Sequence, residues 1–564
     1  MQLSTRRQSF TFDSFKKVIA INIIFTSGIL ISACSSTTHT DDEQAFLNQR
    51  AALIEKYSAT DNVFAALKAQ VDPSQQESKE YWRWRVDQYL YGQYPEYQPI
   101  YDTYSQNKTF HQIYDLPPEN LGPKNTLPTS VPDLPEGFFT DNLQGNPHTG
   151  WHDVIGDKVY ITYQGHLTDP YIASYDLKTQ QWDGPYKAAE STLSKGDRKI
   201  DSHGRPIIEQ DSKGHFHIIY GGHGGEREDG LNPLSIDTPH AGGRMLHVMS
   251  EKPNDISKFV YVNDITPFAS YTASEKMANG DIYLFTRAGT HKSPWVYYKM
   301  KNGEQTFEPP VVITIPTPQV ENPINVDTFY INPMKVSDTE IVISSLWHEC
   351  NFLEVHDKST YSRINAYYMK LDTTTDTFYN AENEKLTLPI TLEVANQKTL
   401  AFDSTQREET PFTTAPLILS DKAPAVAYQA RTKDYREWRM TVFKDGQWEH
   451  SKPMPGTANR TLVDSENNTI SNIGKLEILT KEPNRYTAAV TYKDRQGKAV
   501  FAIAKSDDAQ RWRIDQTYLN LAKSRIEMET VKASNGQGVA VLLNVKKGSA
   551  QRLYLWRDGQ FRPR

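Results

Sequence analysis

The chain has 564 residues, a formal net charge of −7 at pH 7 and 23% charged side chains, which excludes wholesale disorder. An acidic chain also argues against nucleic acid as a partner. A polyanionic substrate stays compatible with it, because a local cationic groove can form on an acidic body. The 31 Tyr, 22 Phe and 10 Trp suit half-buried strands and carbohydrate-facing surfaces.

The N-terminal residues predict an exported bacterial lipoprotein. A basic start precedes an apolar run over residues 18–31, and Ile31-Ser32-Ala33-Cys34 matches the lipobox. A membrane anchor is the alternative, but the run is short for a span of roughly 20 residues. We therefore expect residues 1–33 to be a signal peptide and Cys34 to carry lipid. Ser35 resembles the following residue of lipoproteins that are sorted to the outer membrane, on its periplasmic or cell-surface face.

Only two cysteines occur, Cys34 and Cys350. If Cys34 is acylated, Cys350 has no intrachain partner. No intrachain disulfide then stabilises the fold, even in a compartment that permits disulfides. Packing or a metal must then hold the core. We expect the protein to be a monomer.

Residues 34–136 predict a lipidated cysteine, a tether, a helical extension and a connector. Helical periodicity covers residues 45–67 and about 80–91, after a polar tether that runs to about Asp42. Six prolines in residues 104–136 predict an extended connector. The second helical segment is rich in Tyr and Trp. We expect these rings to pack against the following domain rather than to form a sugar-binding platform.

A repeated hairpin predicts an all-β, seven-bladed β-propeller over residues 137–564. Two apolar-rich strands around a short polar turn occur seven times, and an aromatic residue after a polar turn follows each pair. A repeat of roughly 50 to 80 residues is typical of propeller blades, which close radially. Seven hairpins in a β-sandwich are the alternative. The hairpins cover residues 151–163, 206–220, 272–286, 331–346, 415–428, 475–492 and 527–545.

Reactive side chains flank three consecutive hairpins. His203 precedes the second hairpin and His223 follows it, Tyr271 and Arg287 flank the third, and Tyr330 precedes the fourth. Because a hairpin brings its two ends together and sequential blades are adjacent, we expect these five side chains to meet at one rim of the propeller. Glycines around His223 permit unusual backbone dihedrals and leave room for a ligand.

Two imidazoles, two phenols and a guanidinium suit β-elimination from a uronic acid better than hydrolysis. Arg287 can neutralise the uronate carboxylate, which makes the C5 proton acidic. A base then removes that proton and an acid protonates the departing glycosidic oxygen. His203 and Tyr271 are the candidates, and the sequence leaves open which is base and which is acid. No paired carboxylates of the kind that glycoside hydrolases use recur at these blade ends.

Further candidates lie near this rim. Gln164 and His166 follow the first hairpin and are expected to contact substrate. His348, Cys350 and His356 lie close together in sequence and form a zinc-like set of donors, although a fourth ligand is not evident. Cys350 as a small buried apolar residue is the alternative.

These residues resemble those of the β-propeller ulvan lyases of polysaccharide lyase family twenty-five. The resemblance covers the propeller and depends on Asp-Ser-His203, Tyr-Gly-Gly-His223, the hairpin from Tyr271 to Arg287, and Tyr330. It implies that the histidines and tyrosines supply base and acid and that Arg287 neutralises the uronate. It also implies ulvan as substrate, a polymer of sulfated rhamnose and uronic acids, and a structural zinc with no cofactor for catalysis. The helical extension and long inserts in the fourth blade depart from that family.

Two other functions are open on the sequence alone. A sialidase-like hydrolase also uses a propeller with Arg and Tyr at its centre, but an arginine triad and well-formed Asp boxes are missing. A non-catalytic, glycan-binding surface lipoprotein would use the aromatic residues for binding, with incidental histidines. Lyase activity is the main hypothesis.

Overall fold

The structure of the protein is a computed structural model. It describes residues 38–69, 79–116, 134–141, 143, 152–193, 201, 203–237, 242–319, 325–349, 362–405, 409–419, 421–431, 436–453, 461–470, 472–482, 485–508, 510–533, 537–548 and 550–564. The lipobox, Cys34, Cys350 and His356 lie outside these residues.

In the described part of the N-terminal region, five α-helices precede the propeller. The predicted helix over residues 45–67 is two helices, because Asp61 accepts hydrogen bonds from the backbone N–H of Val63 and Phe64 and caps a new helix there. Helical structure also replaces part of the predicted tether and connector. The helices are α1 (Thr38–Thr60), α2 (Asn62–Ala69), α3 (Lys79–Gln93), α4 (Gln98–Ser105) and α5 (Phe110–Tyr114).

The aromatic residues of these helices form a packed core. Phe64, Trp84 and Tyr97 are fully or almost fully buried in it. Leu231 and Ile236 of the propeller pack against the same cluster. The helical module, defined here as α1 to α5, therefore shares an apolar core with the propeller.

Seven sheets form the propeller, and each predicted hairpin forms the first antiparallel pair of a blade or, in blades 4 and 6, lies within a larger sheet. Blades 1 to 3 contain β1 (His152–Ile155), β2 (Lys158–Gln164), β3 (Pro170–Asp176), β4 (Trp182–Lys187), β5 (Ile207–Gln210), β6 (Phe216–Gly221), β7 (Met245–Ser250), β8 (Phe259–Val262), β9 (Ser270–Lys276), β10 (Ile282–Arg287), β11 (Trp295–Met300) and β12 (Val311–Thr314).

Blades 4 and 5 contain β13 (Thr317–Pro318), β14 (Val326–Lys335), β15 (Glu340–Glu349), β16 (Ser362–Asp372), β17 (Thr377–Tyr379), helix α6 (Leu392–Lys398), β18 (Leu400–Phe402), β19 (Thr410–Ile418), β20 (Pro424–Arg431), β21 (Arg436–Lys444) and β22 (Gln447–Pro453). Blades 6 and 7 contain β23 (Thr461–Val463), β24 (Thr469–Ile470), β25 (Asn472–Glu482), β26 (Arg485–Lys493), β27 (Ala499–Ser506), β28 (Arg511–Leu521), β29 (Arg525–Lys532), β30 (Gly538–Lys547), β31 (Ala550–Arg557) and β32 (Gln560–Phe561).

The first strand of each hairpin is the inner strand of its blade. Strand β9 contacts β5 and β14, β1 contacts β5 and β29, and β25 contacts β29. Among the described residues, blades 1, 2, 3, 5 and 7 have four strands in chain order, whereas blades 4 and 6 have six. The extra strands and α6 in blade 4 agree with the long inserts predicted there. The inner ends of blades 2, 3 and 4 are consequently neighbours.

The chain segment before blade 1 closes the ring. Phe139 donates its backbone N–H to the carbonyl of Leu553, and Leu553 donates to Thr140. Arg552 also donates to the carbonyl of Leu134. These bonds pair the start of the propeller with its last blade, which supplies the ring closure that protects the sheet edges.

The core lies between blades. Tyr160 of blade 1 packs against Phe216 of blade 2 with ring centroids 4.6 Å apart, and Ile161 of blade 1 shares a cluster with Leu542 of blade 7. Alternation along the strands creates these faces, since successive side chains point to opposite sides of a sheet. Within the described part of the chain, no helix has both the length and the apolar character needed to cross a membrane.

Candidate active site

One carboxylate joins the two predicted histidines. Asp201 contacts Nδ1 of His203 through Oδ1, and its Oδ2 lies 2.6 Å from Nδ1 of His223. The imidazole rings stack with centroids 3.6 Å apart. His203 is the more open of the two, with 31% of its side chain exposed against 13% for His223. Each Nδ1–H that donates to Asp201 leaves the Nε2 of that ring as an acceptor.

The hairpin geometry brings these histidines together as the sequence predicted. Gly221 donates its backbone N–H to the carbonyl of Gly204, which ties the two ends of the β5–β6 hairpin. Gly222 has a φ of +85°, and a Cβ there would lie 2.5 Å from the carbonyl oxygen of Ala269. Only glycine fits such a position without a backbone shift.

A β-bulge directs Tyr271 toward His203. Thr286 pairs with Thr272 but Arg287 pairs with Ser270, so Tyr271 is the extra residue in β9, and its φ is +55°. Left-handed backbone is unfavourable for an aromatic residue and marks functional sites. The backbone N–H of Tyr271 donates to the carbonyl of His203, and their rings lie 4.7 Å apart.

Arg287 lies behind the two tyrosines. Its guanidinium carbon is 4.8 Å from the ring centroid of Tyr271 and 5.3 Å from that of Tyr330, and the residue is 1% exposed. Nε donates to Oγ of Ser270. Nη1 is buried and has no hydrogen-bond partner among the described residues. The site therefore contains a fixed positive charge with unused donor capacity.

Tyr330 connects this group to a second arginine that sequence reasoning missed. Its ring lies 5.9 Å from that of Tyr271 and 5.3 Å from that of His348. The guanidinium carbon of Arg363 lies 5.2 Å from the Tyr330 centroid, and the residue is half-buried. Arg363 begins a strand after a long insert, so no repeat or motif in the sequence connects it with the rim.

Asp201 is the other residue without a predicted role. It was visible in the motif Asp-Ser-His203, but only the structure gives both of its carboxylate contacts. Burial alone would raise the pKa of Asp201, yet hydrogen bonds from His203 and His223 outweigh it and hold that pKa far below the ordinary value. The carboxylate is therefore ionised at any working pH.

Burial sets the protonation of His223 and Tyr271. It lowers the pKa of His223 below the ordinary value, against an opposing effect of the Asp201 hydrogen bond. Burial, with a contribution from Tyr330, raises the pKa of Tyr271, although Arg287 and Arg363 pull it down. At neutral pH the site thus contains a neutral His223 imidazole and a protonated Tyr271 phenol, and a protonated phenol can donate a proton.

The remaining predicted residues have different surroundings. Gln164 is buried and its Nε2 donates to the carbonyl of Asp201 at 2.9 Å, so it supports the backbone under the histidines. His166 begins a short 3₁₀ turn. Their predicted contact with substrate stays a prediction.

Of the predicted zinc ligands, only His348 is described. It is buried, and burial, followed by Arg363 and Arg287, lowers its pKa to about 3, which keeps it neutral as a metal ligand must be. Among the described residues, one trio of side chains has the spacing to hold a metal ion, and it is Asp201, His203 and His223. The zinc site at His348, Cys350 and His356 stays a prediction.

Comparison with known proteins identifies the family. Residues 158–454 match the family model described as BNR repeat-containing family member, which is more than half of the chain. The chain belongs to the BNR repeat-containing family. The match runs from β2 of blade 1 to the end of blade 5 and includes all five predicted rim residues.

Similar proteins agree with the resemblance stated from the sequence. An ulvan lyase of family PL25 from Pseudoalteromonas sp. (strain PLSV) is 39% identical over 52% of this chain and 62% of its own length. An ulvan lyase from Alteromonas sp. (strain LOR) is 38% identical over 50% of this chain and 59% of its own length. The chain thus aligns with about three fifths of each of these relatives.

Solved structures match the propeller over a longer stretch. A PL25 ulvan lyase bound to -[GlcA(1-4)Rha3S]- has a TM-score of 0.63 and 29% identity, covering 76% of this chain and 96% of that one. A second PL25 ulvan lyase structure has a TM-score of 0.61 with the same identity and coverage. The predicted resemblance to this group and the seven-bladed fold are confirmed.

Proposed function

We propose that this protein is an ulvan lyase. It would cleave the bond between a sulfated rhamnose and a uronic acid by β-elimination and leave an unsaturated uronyl end. The observation that carries the proposal is the contact of Tyr271 with His203 beside two arginines, with no pair of carboxylates among the described residues of the cluster. The names of the similar proteins support the same reaction and the same polymer.

His203 is the proposed base. Asp201 accepts from its Nδ1, which fixes the tautomer and leaves Nε2 to take the C5 proton of the uronate. Its greater exposure gives a sugar ring access that His223 lacks. His223 stacks on His203, shares the carboxylate and holds the reacting ring in place.

Tyr271 is the proposed acid. A phenol whose pKa lies above its ordinary value is protonated at neutral pH and can donate to the departing oxygen at C4. The electron pair of the C5–H bond becomes the C4–C5 double bond, and the C4–O bond breaks. The proton taken by His203 and the proton given by Tyr271 balance, and solvent restores both groups.

Two arginines are proposed to neutralise the uronate carboxylate. Arg287 supplies a buried charge and the unused Nη1, while the half-buried Arg363 lies beside Tyr330. Stabilising the carboxylate as C5 loses its proton lowers the barrier, because negative charge spreads onto that group in the transition state. Tyr330 lies between the two cations and would contact the sugar.

The decisive experiment measures the product. The full chain is incubated with ulvan, and the ultraviolet absorbance of a conjugated uronyl double bond is followed together with new reducing ends. Both signals should rise in parallel. Reducing ends without absorbance would refute the lyase and indicate a hydrolase, and binding without either product would indicate a glycan-binding protein.

A structural zinc held by His348, Cys350 and His356 is part of this proposal, with no role in catalysis. The neutral, buried imidazole of His348 supports it. Metal analysis of the purified protein should give one zinc per chain, and His348→Ala should lower that content. Zinc content unchanged by this substitution would refute the ligand set.

Export and lipidation are proposed from the lipobox. Labelled fatty acid should be incorporated into the full chain in a bacterial host and should be lost in Cys34→Ser. Fractionation should recover the protein in the outer membrane. Lack of label in the wild-type chain would refute the anchor.

A further inference from the structure

The helical module contacts the propeller at the loop that follows His223. This loop, residues 226–237, leaves blade 2 beside the histidine and meets α3. Gln88 of α3 is fully buried and makes three hydrogen bonds to the loop: Nε2 donates to the carbonyls of Asn232 and Ser235, and Oε1 accepts from the N–H of Asn232. All of its polar atoms are used to hold this backbone.

Two further contacts fix α3 on the loop. Nη2 of Arg85 lies 2.8 Å from Oδ1 of Asp237, and both side chains are almost fully buried. Gly92 packs so closely that a Cβ there would lie 1.9 Å from the carbonyl oxygen of Ser235. A buried ion pair and a backbone contact that only glycine permits define a close, specific interface.

The same loop holds the turn that follows Arg287. Nδ2 of Asn232 donates to the carbonyl of Ala288 at 2.8 Å, and Oδ2 of Asp237 lies 2.6 Å from Nζ of Lys292. Ser270 Oγ accepts from Nε of Arg287 and donates to the carbonyl of Gly289 in that turn. Buried hydrogen bonds thus run from α3 through the loop to the guanidinium.

His223 does not depend on this route. Its backbone N–H donates to the carbonyl of Gly243, and the N–H of Gly224 donates to Ala269, both within the propeller. The two halves of the site therefore have separate supports. A substitution in α3 should therefore alter the position of Arg287 and leave the positions of His203, His223 and Asp201 unchanged.

We infer that Gln88 and Arg85 of the helical module are positioning residues for Arg287. This inference rests on the proposed lyase function. A small displacement of a charge-stabilising group can cost up to about 100-fold in rate, so Gln88→Leu should lower kcat/KM by about 10- to 100-fold. Gly92→Ala should do the same without removing any polar group, since the added methyl forces α3 away from the loop.

The matched control is Tyr89→Phe. Tyr89 is also buried on α3, but its hydroxyl donates to Asp61 inside the helical module. This variant should lower the melting temperature and keep kcat/KM. Arg85→Met should lose activity, and Arg85→Lys should recover part of it because a cation still faces Asp237.

A double-mutant cycle separates positioning from general loss of structure. If Gln88 acts through Arg287, Gln88→Leu should change kcat/KM less than twofold in an Arg287→Lys background, and the pH profile of the single variant should match the wild type. Additive losses, or activity as in the wild type for both Gln88→Leu and Gly92→Ala, would overturn the inference. A wild-type chain without unsaturated product would instead refute the lyase function itself.

Discussion

Oδ2 of Asp201 lies 2.6 Å from Nδ1 of His223, while the other oxygen of the same carboxylate contacts His203. One half-buried carboxylate therefore orients two stacked imidazoles. Both rings present Nε2 as acceptors only while this carboxylate accepts from both Nδ1–H groups.

Asp201→Asn should lower kcat by about 100-fold or more. The amide nitrogen donates where one histidine needs an acceptor, so one ring is forced into the wrong tautomer. Asp183→Asn is the control, because Asp183 is an exposed residue of β4 that accepts from Tyr186 away from the rim. Steady-state assays of the unsaturated product test both variants, and equal activity of Asp201→Asn and the wild type would contradict the assigned role.

Tyr271→Phe should abolish turnover and leave substrate binding within a fewfold of the wild type. The ring that packs against His203 and Arg287 is kept, but the proton for the departing oxygen is lost. Calorimetry with ulvan oligosaccharides measures the binding, and product absorbance measures turnover. Tyr261→Phe, on an exposed strand, is the control. A Tyr271→Phe variant that keeps more than a tenth of the wild-type kcat would exclude the phenol as the acid.

Arg287 and Arg363 should differ in their kinetic effects. Arg287 is buried and acts as charge develops, so Arg287→Met should lower kcat by about 100-fold or more. Arg363 is half-buried beside Tyr330 and more exposed than Arg287, so Arg363→Met should mainly raise KM, by about tenfold. Initial rates over a range of ulvan concentrations separate the two constants. If Arg287→Met mainly raised KM and Arg363→Met mainly lowered kcat, the roles of the two arginines would be exchanged.

The pH profile of kcat/KM should show no basic limb below about pH 9. Burial raises the pKa of Tyr271, so the phenol that is proposed as the acid stays protonated up to pH 10. On the basic side, activity should therefore fall only at strongly basic pH. A basic limb below pH 9 would mean that Tyr271 works as a phenolate.

Glu275→Gln should stabilise the protein at pH 8 by about 1 kcal/mol and have little effect at pH 5. Burial raises the pKa of Glu275 to about 7, against opposing effects of Lys335, so the folded state favours the protonated carboxyl. The stability from this raised pKa is complete below the unfolded value near 4.5 and is lost as pH rises through 7. Urea denaturation at both pH values tests this, with the exposed Glu304→Gln as control. Equal gains in the free energy of unfolding at the two pH values would contradict a raised pKa of Glu275 in the folded state.

The propeller and the five rim residues could be predicted from the sequence because both depend on local pattern. Alternation and turn residues define each hairpin, and a hairpin necessarily brings its ends together, as for His203 and His223. The bounds of the helical segments were less accurate. The cap at Asp61 divides the helix predicted over residues 45–67, and helices occupy part of the predicted tether and connector.

Contacts between distant segments were decided only by the tertiary structure. Asp201 contacts both His203 and His223, which lie at opposite ends of a hairpin. Arg363 follows the long insert of blade 4 in the sequence, yet it packs against Tyr330. Arg85 pairs with Asp237 across 152 positions. Local periodicity contains no signal for such pairs, because they arise when blades close into a ring and the helical module packs on it. The sequence alone thus determined the repeating blades and the reactive side chains at their ends, and packing between the blades decided which charges meet.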